Sequence, residues 1–158
     1  MTGIISVLYV DDEPDLLDLG KIFLERTGDF LVTIVTGVNE AITAMESREF
    51  ETIISDYQMP GMDGIGFLKH LRLHGNKTPF ILFTGRGREE VAIEALNNGA
   101  DFYLQKGGDP KAQFAELANK IRHAVSHRRA EKLVLDLQQR ESEIINFLPD
   151  ATFAVDTS

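Results

Sequence analysis

The sequence predicts an α/β fold built on a doubly wound, five-stranded parallel sheet, and three observations predict it. Short apolar, β-branched runs alternate with stretches whose apolar residues recur at helical spacing. Five such strand-then-helix repeats fill roughly the first 125 residues, at the short spacing of βαβ units. The polar residues that stand out fall where predicted strands end, which is where open parallel sheets bind their ligands.

Ile4 to Val10 is a buried strand that runs into Asp11-Asp12-Glu13-Pro14. Proline is tolerated in a first turn, so a helix begins near Pro14, carries Leu16, Leu17, Ile22, Phe23 and Leu24, and stops near Gly28. Leu31 to Val35 is the second strand, and a helix runs from about Asn39 to Arg48. Ile53-Ile54 is the heart of a third strand that delivers Asp56 at its carboxyl end. The turn formers Met59-Pro60-Gly61-Met62-Asp63-Gly64 follow: Pro60 keeps Met59 extended, and the glycines allow backbone shapes that other residues avoid. Asp63 is placed to cap a helix that starts near Gly64 and buries Ile65, Phe67, Leu68 and Leu71. Pro79 opens the strand Phe80-Ile81-Leu82-Phe83, which ends at Thr84-Gly85. A helix from Glu89 to Asn97 closes at Gly99, and Phe102-Tyr103-Leu104 is the fifth strand, ending at Lys106. Pro110 starts the last helix, with Phe114, Leu117, Ile121 and Val125 inward.

Nothing stops that helix before Pro149. Ala130, Leu133, Leu137, Ile144 and Leu148 continue at steps of three and four, with Arg140 interrupting the seam and charges flanking it. Such a stripe pairs with a second copy of itself or packs back on its own domain, and both readings stay open.

Composition narrows the chemistry. The 158 residues carry a net charge of -9, and the acidic excess lies before about residue 110. Binding nucleic acid needs a basic face, so the balance argues against it and suits a divalent cation instead. With no cysteine, there is no disulfide, thiolate metal site or cysteine nucleophile. No apolar run approaches the roughly 18–20 residues that span a bilayer, and no signal peptide is recognisable. A soluble, cytoplasmic segment is expected.

Asp11, Asp12, Asp56, Thr84 and Lys106 all sit at strand ends, and a parallel sheet gathers such ends on one rim. Two carboxylates about 5 Å apart repel by about 3 kcal/mol at an effective dielectric of 20. Three together call for a cation, and Mg²⁺ favours carboxylates, waters and a phosphate oxygen. Lys106 is the obvious counter-charge within the chain, and lysine is a serviceable phosphate binder. Singly, each residue has a plainer role: Asp11 and Asp12 as helix caps, Asp56 as a turn residue, Lys106 as a solvated charge.

Taken together, Asp11-Asp12-Glu13, Asp56 with Met59-Pro60-Gly61-Met62-Asp63-Gly64, Thr84-Gly85, Gly99-Ala100-Asp101 and the Tyr103–Lys106 spacing resemble the receiver domain of two-component response regulators. The likeness covers about residues 4 to 125 and implies a flavodoxin-like sheet of order 2-1-3-4-5. It implies that Asp56 is phosphorylated by a partner histidine kinase or phosphotransfer protein. By the same likeness Asp11 or Asp12, Asp56 and the backbone carbonyl of Gln58 hold Mg²⁺, Lys106 binds the phosphoryl oxygen, and Thr84 and Tyr103 form a switch pair. Two departures stand out. Gly107-Gly108 replaces the proline that usually follows the lysine, so no cis peptide is expected there, and Arg86 and Arg88 occupy a loop that often carries small apolar residues.

Residues 149–158 faintly resemble the opening of a PAS sensor domain. The expected organisation is a receiver over 1–125, a helical and possibly coiled-coil linker over 126–148, and a truncated sensor start over 149–158, as in a hybrid histidine kinase or receiver–PAS protein. A homodimer through the last helix fits that scheme. Other classes fit less well. An aspartyl-phosphate phosphatase needs a second aspartate two residues after the nucleophile, and position 58 is glutamine. A nucleotide binder of this fold needs a glycine-rich loop after the first strand, which is missing. His127 lacks the flanking residues of a kinase phosphoacceptor, and His70, His74 and His123 read as dispersed.

Overall fold

The computed structural model describes residues 3–85 and 89–147, and the side chains of those up to residue 143. Arg86, Arg88, the expected helix stop at Pro149 and the sensor-like stretch 149–158 lie outside the described residues, as does the side chain of Ile144.

Among the described residues, ten elements alternate as the hydrophobic pattern requires: β1 (Ile5–Val10), α1 (Pro14–Arg26), β2 (Phe30–Val35), α2 (Val38–Ser47), β3 (Thr52–Ser55), α3 (Gly64–Leu73), β4 (Phe80–Thr84), α4 (Glu89–Asn97), β5 (Phe102–Gln105) and α5 (Pro110–Phe147). All strand pairs are parallel and the sheet order is β2-β1-β3-β4-β5. The doubly wound, flavodoxin-like expectation is met.

The strands are predominantly apolar because both faces of the sheet are covered. Val7 and Tyr9 of β1, Ile54 of β3 and Ile81 and Phe83 of β4 pack with Leu17 and Leu24 of α1 and Phe114, Leu117 and Ile121 of α5. Their neighbours Leu8, Val10, Ile53, Phe80 and Leu82 point the other way, onto Ala41 of α2, Phe67 and Leu68 of α3 and Val91 and Ala95 of α4. Alternation within each short run thus supplies two cores.

Local chemistry sets the helix ends. Pro14 occupies the first turn of α1, and Asp63 caps α3 by accepting from Gly66 N at 2.8 Å. Asp109 accepts from Ala112 N at 3.0 Å in the first turn of α5. α2 starts at Val38 behind an extended Gly37, one residue before the expected start.

The described residues up to Val125 form one compact unit and those from Ser126 another, and α5 spans Pro110–Phe147. In the second unit Leu133, Val134, Leu135 and Leu137 are each more than half exposed. Side-chain contacts within it run along the helix, His127–Glu131 at 3.4 Å and the ion pair Arg140–Asp136 at 3.3 Å.

Candidate functional site at the carboxyl rim

Strand order puts β1 beside β3, and the chain leaves these two strands in opposite directions across the sheet, which opens a crevice beyond their ends. The register pairs Val10 with Ser55, so the next residues, Asp11 and Asp56, emerge side by side. Asp56 N donates to Val10 O at 2.9 Å and ties the two ends together. Both aspartates are buried.

Lys106 arrives from farther along the rim. β4 and β5 pair Thr84 with Gln105, and Lys106 N donates to Thr84 O at 2.7 Å. Its side chain spans the end of β4: Nζ lies 2.7 Å from Asp11 Oδ2, 3.3 Å from Asp56 Oδ2 and 3.7 Å from Glu13 Oε2. Gly107 and Gly108 both take positive φ (136° and 78°), a path that proline's fixed negative φ forbids. Gln113 Nε2 donates back to Gln105 O at 2.7 Å and braces this loop from α5.

The electrostatics are strained in one direction. Asp11 is pushed up to about 6, first by burial and then by the neighbouring Asp56, while Lys106 and the Glu13 amide pull the other way. Burial works against the Lys106 ammonium, but Asp11, Asp56 and Glu13 together hold its pKa above the ordinary lysine value. Asp11 Oδ2, though close to that ammonium, has no well-aligned hydrogen-bond donor. Below it, the fully buried Tyr9 hydroxyl has none either, and burial followed by the nearby acids drives its pKa strongly upward.

Asp11, Asp12, Glu13 and Asp56 each offer an oxygen within 4.8 Å of the others. This all-oxygen, strongly negative donor set, with a buried oxygen short of a donor, fits a hard divalent cation. Asp12 is exposed and shares an open groove with Gln58 and Pro60. Asp11 is not a helix cap: its Oδ1 accepts from Glu13 N at 3.0 Å, and Glu13, at the cap position, makes no side-chain capping bond.

Thr84 is buried at the end of β4, and Tyr103, half-buried on β5, packs in the core shared with α3 and α4 with its hydroxyl buried and unbonded. Two features escaped the sequence reading. Glu13 joins the acidic group, and its position directly after the acidic pair was the available signal. His70 and His74 are not dispersed: the i,i+4 spacing on α3 brings their rings to 4.3 Å, with His74 Nδ1 2.8 Å from His70 O.

The fold and this rim define a class: a doubly wound domain that presents clustered acids and one lysine at its topological switch point. The description "response regulator receiver domain" matches residues 7–122, and the chain belongs to that family. It is 28% identical over 138 residues to the transcriptional regulatory protein FixJ of Bradyrhizobium diazoefficiens, covering 87% of this chain and 67% of FixJ. It is 36% identical over 108 residues to the response regulator Rre1 of Synechocystis, covering 67% of this chain and 47% of Rre1. Thus the chain spans about half the length of Rre1, and likewise of other curated relatives. Among solved structures, the receiver domain of the Francisella response regulator 1452 is 28% identical with a TM-score of 0.71, over 78% of this chain and 98% of that one. The response regulator domain of Thermotoga maritima CheB is 27% identical with a TM-score of 0.70, over 78% and 97%.

The chain is therefore a phosphoacceptor domain of two-component signalling, a class that takes phosphoryl groups from histidine kinases. The phosphatase and nucleotide-binder readings are not favoured. Among the described residues, no helix is long and apolar enough to cross a membrane.

Proposed function

We propose that Asp56 is the residue phosphorylated, in a Mg²⁺-dependent transfer from the phosphohistidine of a partner kinase or phosphotransfer protein. One observation carries this reading: the Lys106 ammonium sits between the buried carboxylates of Asp11 and Asp56, at 2.7 and 3.3 Å. A carboxylate attacking an anionic phosphoryl group needs both partners' charge offset. Lys106 does so from the β5 side, and its Nζ can follow a phosphoryl oxygen once Asp56 is esterified. Asp11, Asp12, Asp56 and the Gln58 backbone carbonyl would hold Mg²⁺, which when bound supplies the positive charge that three acids lack.

Phosphorylation adds acceptor oxygens at the rim. The Thr84 hydroxyl is the donor on the neighbouring strand end, and drawing it inward would free space for Tyr103, whose buried, unbonded hydroxyl gains by moving to water. Downstream, residues 126–148 would act as a helical linker, pairing with a second copy, and residues 149–158 as the start of a PAS-like sensor in a longer hybrid kinase or receiver–PAS protein. A kinase donor that draws on ATP places the domain in the cytoplasm.

The deciding experiment is mass spectrometry after acetyl phosphate treatment with Mg²⁺. Wild-type protein should gain about 80 Da on Asp56, and Asp56→Asn should gain none. Addition at another residue, or none in the wild type, would overturn the assignment.

A further inference from the structure

The peptide that joins Asp56 to Tyr57 is gripped at both ends. Its N–H donates to Asp56 Oδ1 at 2.8 Å. Its carbonyl oxygen accepts from the Ser55 hydroxyl at 2.9 Å. That carbonyl also lies against Gly64, where any Cβ would collide with it. Meanwhile Gly64 N donates to Tyr57 O at 2.8 Å and closes the loop.

The grip matters because β3 ends at Ser55. The preceding peptide is fixed by the bond from Asp56 N to Val10 O, but the 56–57 peptide lies beyond the ladder. Among the described residues, the Ser55 hydroxyl is the donor that meets the Asp56 carbonyl. Ser55 is itself fully buried. Were the peptide to rotate, the bond to Oδ1 would break along with the bond to Ser55. The carboxylate would then be free to turn, and Oδ2 would lose its station 3.3 Å from Lys106.

We propose that Ser55 is a positioning residue for phosphoryl transfer: its hydroxyl locks the 56–57 peptide, whose N–H restrains Asp56 Oδ1 and so presents Oδ2 as the attacking oxygen. This rests on the reading of Asp56 as phosphoacceptor. In the step served, an Oδ2 lone pair forms the new O–P bond while the P–N bond of phosphohistidine breaks. The departing electron pair stays on the imidazole nitrogen, which takes a proton from water, and an acyl phosphate is left on Asp56. With acetyl phosphate a P–O bond breaks instead, and acetate leaves with the pair. Gly64 belongs to the same device, since only a residue without Cβ leaves the locked carbonyl its place.

The test follows acyl phosphate formation from acetyl phosphate and Mg²⁺ by mass spectrometry, in wild type, Ser55→Ala, Ser55→Thr and Asp56→Asn. Misplacing a reacting atom by about 1 Å can cost 10²-fold, so Ser55→Ala should slow the reaction roughly tenfold. The Tyr57 amide proton should move upfield as its bond to the carboxylate weakens, and Ser55→Thr, which keeps the hydroxyl, should restore most of the rate. Should Ser55→Ala not fold, Ser55→Cys keeps the volume with only a weak donor and makes the same comparison. A wild-type rate in the hydroxyl-less variant, or a slow rate with the Tyr57 amide unmoved, overturns the inference. A wild type that takes up no phosphoryl group overturns instead the assignment of Asp56 on which it stands.

Discussion

The two rims of the sheet use similar residues to opposite ends. At the amino ends of β4 and β5, Arg72 donates to the carbonyls of Asn76 at 3.0 Å, Thr78 at 2.9 Å and Gly99 at 2.8 Å, with Asp101 3.9 Å away. Asp101 in turn accepts from Phe80 N at 2.8 Å, while its own N donates to Phe80 O at 2.8 Å. Charges and carbonyls there answer one another, and the result is a latch. At the carboxyl rim, two buried acids share one ammonium, Asp11 stands at about 6, and one of its oxygens lacks an aligned donor. Unresolved electrostatics at one rim, opposite a rim whose charges are answered, mark the place where a ligand completes the structure.

That contrast can be broken by removing its central charge. Lys106→Met leaves Asp11 and Asp56 facing each other without a cation, and breaking a buried pair this way costs about 3–5 kcal/mol. Thermal melts without Mg²⁺ should show the loss, and added Mg²⁺ should recover part of it. A melt unchanged by the substitution would mean the rim is as self-sufficient as its opposite.

Arg72→Met should cost about 2–3 kcal/mol, because it orphans several carbonyls at once. It should leave the acetyl phosphate rate and Mg²⁺ affinity near wild type. A large drop in either would show that the two rims are coupled.

The wild-type protein should show the tension directly as a function of pH. A carboxyl whose folded pKa is raised stabilises the fold below its ordinary value, and that stability is lost as pH rises through the folded value. Without metal, the melting temperature should therefore fall as pH climbs through about 6, the value of Asp11. Bound only to the folded state, Mg²⁺ should flatten that fall.

The smallest effect tests a satisfied pair at the sheet edge. Glu25 accepts from Val32 N at 2.8 Å and pairs with Lys21 at 2.9 Å, while Lys21 also donates to Val32 O, so α1 covers a polar site on edge strand β2. The Val32 amide, then Lys21, hold the Glu25 pKa below the usual carboxylate range. Partly exposed as it is, Glu25→Gln should cost at most about 1 kcal/mol. The difference from wild type should be present at neutral pH and vanish as pH falls below the carboxylate range. A cost that persists in acid would point to packing rather than charge.

Most of the site's membership was legible because its signals are local. Asp11, Asp56, Thr84 and Lys106 each end an apolar run, and strand alternation needs only neighbouring residues to show itself. The pairing of His70 with His74 was legible too in their spacing, and was passed over. Ser55 was not legible, because a serine beside an aspartate looks like any polar end of a strand.

By itself, then, the sequence determined the alternation of elements, the two-faced burial of the strands and which polar residues lie at their ends, since these depend on side-chain periodicity and turn chemistry along a few residues. Only the tertiary structure decided that Val10 opposes Ser55, that Lys106 crosses β4 to reach Asp11, and that the Asp56 carbonyl fills the space a Gly64 side chain would need. Those outcomes depend on register and on packing between distant segments, whose energies arise only when the strands meet.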